Sequence, residues 1–185
     1  NFCTVDLSAF YFDIRKDSLY CDNKDSKKRK LVIKVLNIIL NVLLKWFAPI
    51  LSFTTEEIYK LLIKDQKSIH LEKFLEIPNK FKNEKIEEKW NELIKIRNIC
   101  NISIEQKRAS KEIGSSLEAD LKIQLNKNLK EFTKNIDFSE LCITSKAKVD
   151  YEDGIEIEAT TKKAEGNKCP VCWKINEGSC SRHPQ

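Results

Sequence analysis

The sequence predicts a mainly α-helical fold, in which a helical bundle is followed by a small α+β junction and a C-terminal metal-binding knuckle. Apolar residues recur at helical spacing through the first part of the chain. The period then changes to strict alternation around residues 117–125, which is typical of a half-buried strand. Three cysteines and a histidine gather near the end of the chain. We therefore expect three domains, with bounds 1–114, 115–162 and 163–185.

The first 63 residues or so are predicted to be helical, with a long apolar helix over Leu31–Leu51 that stops near Pro49. One polar stripe runs along this helix, formed by Lys34, Asn37, Asn41 and Lys45. Charges at mid-span are costly in lipid, so we reject a membrane span. We expect a helix that is buried on most sides and has one face in water.

Two further helices complete the predicted bundle. Thr54-Thr55-Glu56-Glu57 has the form of a capping box and predicts a helix start that carries Ile58, Leu61 and Leu62 inward. The segment from Lys64 to Asn83 is irregular. A long helix is expected from about Glu84 to Ser110, with Gly114 as a plausible stop. Its apolar face comprises Ile86, Trp90, Leu93 and Cys100.

The junction alternates between strand and helix periods. Alternation over residues 117–125 predicts a strand, and Leu129, Phe132 and Ile136 return to helical spacing. Alternation resumes over residues 141–151 and again over 155–159, after the turn signal Asp153-Gly154. The order predicted is strand, helix, strand, strand.

The knuckle consists of two ligand pairs, Cys169/Cys172 and Cys180/His183. This spacing fits a tetrahedral zinc site with three thiolates and a neutral ring nitrogen. Four protein ligands leave no open position for a catalytic water, so the zinc would be structural. The alternatives are a redox dithiol, which lacks a thioredoxin-like βαβ unit around it, and chance occurrence in a tail.

Basic and aromatic residues surround the knuckle. Trp173 directly follows Cys172 and can stack on a nucleotide base, cover the metal site, or dock the knuckle on the sheet. Lys168, Lys174 and Arg182 add positive charge that suits phosphate contact. These four side chains are our candidate RNA-binding residues. The chain as a whole carries a net charge of +5, which is equally compatible with an ordinary helical protein.

Composition restricts the function further. Four of the seven cysteines are scattered singly and no signal peptide precedes them, which indicates reduced thiols in a cytoplasmic setting. The sequence contains no methionine, from which we expect that it was cut from a longer protein. We find no Gly-rich phosphate loop, nucleophile elbow or HExxH motif, so we assign no catalytic residue.

Four stretches in sequence order resemble the bacterial isoleucyl-tRNA synthetases, which are class I enzymes. The first is the run from Asp6 to Tyr20, DLSAFYFDIRKDSLY, and the second is Ala48 to Ile58, APILSFTTEEI. Ile113 to Ala119, IGSSLEA, and Lys168 to Trp173, KCPVCW, complete the set. The chain is thus identified as similar to the C-terminal part of such an enzyme, isoleucine–tRNA ligase.

This resemblance implies that residues 1–114 form an anticodon-binding domain, truncated at its N-terminus. It also implies a parent enzyme that activates isoleucine with ATP and attaches it to its tRNA. The catalytic and editing domains, and with them ATP and magnesium, would lie before Asn1. The expected partners are the anticodon arm of isoleucine tRNA and the rest of the same polypeptide, and the expected state is a monomer.

Two positions depart from the family pattern. His183 stands where the family usually has a fourth cysteine, and Val171 where a basic residue is common between the first two cysteines. The loop between the two ligand pairs is also short. An alternative function is a stand-alone RNA-binding protein or a structural zinc-knuckle module for protein interaction.

Overall fold

The structure, a computed structural model, describes residues 1–63 and 67–183. The first three residues of the predicted irregular segment and the last two of the predicted knuckle domain lie outside the described residues. The chain divides into two compact units, one of residues 18–82 and one of residues 1–17 together with 83–185. The fold is mainly α-helical with a small α+β part, as predicted. The three predicted domain bounds stay a prediction.

The first unit, residues 18–82, contains two helices. Ser26 accepts a hydrogen bond from the Arg29 amide at 3.4 Å and caps α2, Lys27–Phe47. Helix α3 spans Ser52–Leu62, and short 3₁₀ turns follow at Ile69–Leu71 and Asn79–Phe81. The small apolar core of this unit is formed by Leu44, Ala48, Tyr59 and Ile69.

The apolar face of α2 is less covered than predicted. The helix buries Val32 and Leu44, whereas Leu31 and Trp46 are exposed, so the expectation of burial on most sides was wrong for the described residues. Among the described helices, none has the length and apolar character needed to cross a lipid bilayer.

The predicted start of α3 was also wrong. The helix begins at Ser52, and the Thr55 hydroxyl, inside the first turn, donates to the Leu51 carbonyl at 2.9 Å. Thr55 therefore bonds backward along the helix instead of capping its amides. Of the residues predicted to point inward, Ile58 packs against the core of this unit, whereas Leu61 and Leu62 are exposed by 79% and 51% and do not enter it.

The second unit begins with a π-type helical segment, Phe2–Phe12, which runs on into α1, Asp13–Tyr20. Helix α4 spans Glu84–Ala109, close to its predicted bounds, and the Asn83 side chain caps it by accepting from the Ile86 amide at 3.2 Å. Lys111 has a φ of +60°, so the chain reverses there, before the predicted stop.

A three-stranded sheet packs against α4. Strand β1, Ala119–Asn126, lies in the centre, parallel to β2, Lys146–Glu152, and antiparallel to β3, Glu158–Lys163. Alternate β1 residues enter the core, where they meet the buried face of α4. The buried residues of the two elements are Ala119, Leu121, Ile123 and Leu125 of β1 and Leu93, Ile96, Cys100 and Ile104 of α4.

Between β1 and β2 the chain forms two short helices, α5, Lys130–Thr133, and α6, Phe138–Leu141. The predicted strand from residue 141 was wrong over its first part. Asp137 accepts hydrogen bonds from the amides of Ser139 and Glu140, which starts α6 and buries Phe138 and Leu141. Strand geometry begins only at Lys146. Beyond β3, a two-stranded ribbon pairs β4, Asn167–Lys168, with β5, Ile175–Asn176.

The contacts of the Glu56 side chain with the Ile69–Leu71 turn predict how the stability of this unit depends on pH. The Glu56 carboxylate accepts hydrogen bonds from the Ser68 hydroxyl and the Ile69 amide, both at 2.9 Å, and pairs with Lys60. Lys60 first, and then the Ile69 amide, lower the pKa of Glu56 from 4.5 to about 2.

Because its folded pKa is depressed, Glu56 stabilises the folded state above about pH 4.5, and this contribution is lost as pH falls toward about 2. We expect Glu56→Gln to lower the urea midpoint at pH 7 and to flatten the decline of that midpoint between pH 5 and pH 2. Glu57→Gln, one residue away, is the control. Parallel pH profiles for Glu56→Gln and the unmodified chain would contradict the assignment.

Candidate metal centre and nucleic-acid interface

Two tight turns bring the knuckle ligands together. In the first turn, the Trp173 amide donates to the Cys169 carbonyl and the Cys169 amide donates to the Lys174 carbonyl, both at 2.9 Å. In the second, the His183 amide donates to the Cys180 carbonyl at 3.1 Å. Each turn therefore directs two ligand side chains to the same point.

The four ligand atoms of Cys169, Cys172, Cys180 and His183 all lie within 4.8 Å of one another. Cys172 Sγ and Cys180 Sγ are 3.8 Å apart, and His183 Nδ1 lies 3.6 Å from Cys169 Sγ and 3.5 Å from Cys180 Sγ. Zinc bonds of about 2.3 Å to sulfur and about 2.0 Å to nitrogen, at tetrahedral angles, give separations of about 3.8 and 3.6 Å. Three of the six separations thus match those of a tetrahedral site, and all six lie within 4.8 Å.

The protein environment favours the thiolate at two of the three knuckle cysteines and disfavours it at the third. The Cys172 amide most strongly, and the Val171 amide and His183 ring with it, lower the pKa of Cys169 to about 6. Burial raises the pKa of Cys180, but the amides of Arg182 and His183 outweigh burial and hold it below its usual range. Burial raises the pKa of Cys172 to about 11, so this thiol gains most from a positive metal ion.

The scattered cysteines behave differently. Cys100 and Cys142 lie in the main core, exposed by 0% and 3%. A hydrogen bond with Cys142, together with burial, raises the pKa of the Cys100 thiol. Such thiols are inert apolar side chains. Within the described residues, the cysteines that are placed to act together as metal ligands are therefore those of the knuckle.

Ser145 fixes the knuckle to the sheet. Its hydroxyl accepts from the Ile175 amide at 2.6 Å and donates to the Leu117 carbonyl, immediately before β1. Next to it, Lys146 forms an ion pair with Glu177. The candidate metal site is thus attached to residues at or next to the starts of β1 and β2.

Trp173 and Lys168 lie together on the surface. The Trp173 side chain is 59% exposed, and the Lys168 ammonium lies 5.7 Å from the centre of its ring. Trp173 has a φ of +62°, which is rare and strained for a bulky residue. Lys168 also lies 3.9 Å from a Glu118 carboxylate oxygen, so its positive charge is partly balanced. The ring presents an open face beside a cation.

The other two candidate RNA-binding residues have carboxylate neighbours. Arg182 pairs with Asp17 at 2.6 Å, which ties the second ligand turn to α1. Lys174 is half-buried near Asp137. Burial raises the pKa of Asp137, but the Ser139 hydroxyl, the Glu140 amide and the Lys174 charge hold it below its usual range. Arg182 and Lys174 therefore also have structural contacts.

Sequence reasoning missed two residues that shape the site, Ser145 and Gly166. Gly166 has a φ of +126°, and a Cβ there would lie 2.1 Å from the Asn176 carbonyl oxygen. The sequence signal for this close approach between two backbone segments is a glycine that stands just before the first cysteine turn. Nothing local in the sequence identifies Ser145, because its partners Leu117 and Ile175 are both distant along the chain.

Comparison with known proteins gives consistent matches. The family model described as the anticodon-binding domain of tRNA ligase matches residues 1–125. The isoleucine–tRNA ligase of Pelagibacter ubique is 68% identical over 183 residues, which is 99% of this chain and 20% of that protein. The isoleucine–tRNA ligase of Agrobacterium fabrum is 39% identical over 197 residues, which is 100% of this chain and 20% of that protein. The chain therefore spans about a fifth of the length of these curated relatives.

The close approach at Gly166 gives a matched pair of substitutions. Gly166→Ala should clash with the Asn176 carbonyl and force an unfavourable φ, which we expect to destabilise the β4–β5 ribbon by about 1–3 kcal/mol. Gly178→Ala should have little effect, because no atom lies within 4 Å of its Cβ position. The measurement is amide hydrogen exchange at Cys169, whose amide donates to the Lys174 carbonyl at the end of the ribbon. Equal exchange in both variants would refute the proposed clash.

Proposed function

Because this chain belongs to the anticodon-binding domain family of tRNA ligases, we propose that it binds the anticodon arm of an isoleucine tRNA. The match of the family model over residues 1–125 carries this proposal. The exposed ring of Trp173 beside Lys168 supplies the surface, since base stacking on an aromatic ring is the usual way in which proteins hold single-stranded RNA loops. Lys174 and Arg182 are proposed as further phosphate contacts.

We also propose that Cys169, Cys172, Cys180 and His183 hold one structural zinc ion. The ligand separations support a four-coordinate site, which would bind no catalytic water. The knuckle has few large apolar side chains to stabilise it, so metal binding would supply much of its folding free energy. His183 acts here through Nδ1, in place of the family's usual cysteine.

The proposed parent enzyme activates isoleucine with ATP and transfers it to the tRNA. The four-fifths of the relatives' length that this chain does not cover would contain that chemistry. We propose a division of this chain into residues 1–114 for the anticodon arm, 115–162 for the junction and 163–185 for the knuckle. A cytoplasmic, monomeric protein is the setting proposed for it.

A second candidate function makes the knuckle a structural clip that never touches RNA. The ties through Ser145, Lys146 and Arg182 favour this role, since they fix the knuckle without using Trp173. The two roles predict different effects of replacing Trp173 on RNA affinity, so that substitution distinguishes them.

Metal binding is tested by titration with Co²⁺ and competition with Zn²⁺. We expect one ion per chain with thiolate-to-metal charge-transfer bands. Cys169→Ser should weaken metal affinity by more than about 100-fold, because it removes a ligand. His183→Cys should retain tetrahedral binding. Cys3→Ser, at an exposed cysteine outside the knuckle, is the control. Equal affinity in Cys169→Ser and Cys3→Ser would disprove the site.

RNA contact is tested with the anticodon stem-loop of isoleucine tRNA. Loss of one stacked base costs about 1–3 kcal/mol, so Trp173→Ala should weaken binding by roughly 5- to 150-fold while zinc is retained. Phe132→Ala, at an exposed aromatic residue outside the proposed anticodon-binding bundle and the knuckle, should bind normally. Unchanged affinity in Trp173→Ala would favour the clip. Equal binding of cognate and non-cognate stem-loops, abolished by salt, would remove the claim of specificity.

A further inference from the structure

The outer face of the sheet has an uneven distribution of charge. Because β1 buries its odd-numbered residues, its even-numbered residues point away from α4. The pairing places these residues beside their counterparts on β2 and β3 in rows across the sheet. From the knuckle end outward, the first row is Lys146, Asp120 and Lys162, the second is Lys148, Lys122 and Thr160, and the third is Asp150, Gln124 and Glu158.

Four lysines and one carboxylate, that of Asp120, thus occupy the two rows nearest the knuckle, whereas the third row holds two carboxylates and one amide. Lys122 and Lys148 are direct neighbours across the β1–β2 pair. Like charges placed opposite one another destabilise a sheet. Both ammonium groups share a single carboxylate, that of Asp150, at 3.6 and 3.3 Å. Such exposed pairs contribute little and exchange readily for another anion.

The two lysine-bearing rows are continuous with the knuckle. Lys146 begins β2 and pairs with Glu177, two residues beyond Ile175, whose amide is held by Ser145. The side chains of Lys122 and Lys148 are 55% and 75% exposed, and Lys162 is also exposed. Helix α4 covers the opposite face of the sheet, where Ser103 bonds Thr161 at 2.8 Å. The lysine face is therefore open to a ligand.

We propose that Lys122, Lys148 and Lys162 bind the phosphate backbone of the tRNA whose anticodon arm contacts the knuckle. This inference rests on the proposed function and extends it to a second surface. The RNA lies across the first and second rows, and the carboxylates of Asp150 and Glu158 repel it from the third row. Phosphate contacts set orientation without reading sequence, so this surface contributes equally for cognate and non-cognate stem-loops.

The test compares two triple variants of equal charge. One is Lys122→Gln, Lys148→Gln and Lys162→Gln. The control, Lys127→Gln, Lys130→Gln and Lys134→Gln, lies beyond the far end of β1. Affinity of the zinc-loaded 185-residue chain for anticodon stem-loops is measured from 50 to 200 mM salt. We expect the sheet triple to bind about tenfold or more weakly at 100 mM salt, and the slope of log affinity against log salt to fall by about 2 to 3.

The control triple should retain the slope, and thermal melting verifies that both triples are folded. Equal slopes in the two triples, with Trp173→Ala still weakened, would overturn the lysine surface and leave the proposed function standing. Failure of the unmodified chain to bind any anticodon stem-loop would overturn the proposed function itself. A loss in the sheet triple for the cognate stem-loop alone would also contradict the proposal, because backbone contacts do not discriminate sequence.

Discussion

The register of β1 determines the arrangement of the second unit. Leu121, Ile123 and Leu125 are fully buried, and each such side chain contributes about 1.5–3 kcal/mol through removal from water. Because side chains alternate with a period of two, this burial forces Asp120, Lys122 and the following even-numbered residues outward. A slip by one residue would place Lys122 in the core, so the apolar pattern fixes the pairing with both neighbouring strands.

The same register positions the knuckle. The Ser145 amide donates to the Ala119 carbonyl at 3.2 Å, and its hydroxyl bridges the Leu117 carbonyl and the Ile175 amide. The start of β1 thus defines where Ser145 lies, and Ser145 defines where β5 lies. The ligand turns are attached directly to β4 and β5. The orientation of the candidate metal centre is therefore set by β1, a strand that contributes none of its ligands.

The sequence predicted those features in which local chemistry and tertiary structure agree. Alternation identified β1, helical spacing identified α4, and ligand spacing identified the four knuckle residues. It failed where tertiary contacts decide the outcome. Alternation predicted a strand from residue 141, yet the cap at Asp137 starts a helix that includes Leu141, and strand geometry begins only at Lys146. The parallel pairing of β1 with β2 depends on α5 and α6 passing over the sheet, which no local pattern reveals. The lysine rows emerge only from that pairing.

The conformation of Trp173 links the proposed metal site to the proposed RNA surface. A φ of +62° is easy for glycine but costs a bulky residue of order 1–3 kcal/mol, so the fold must hold Trp173 there against its own preference. Two backbone hydrogen bonds hold it there: the Trp173 amide donates to the Cys169 carbonyl, and the Cys169 amide donates to the Lys174 carbonyl. They also close the turn that presents Cys169 and Cys172. Covering the metal would require a buried ring, whereas this ring is mostly exposed. The exposed ring is the part of this strained turn that the proposed RNA contact would use, and the proposed zinc ion would offset the strain by locking the turn.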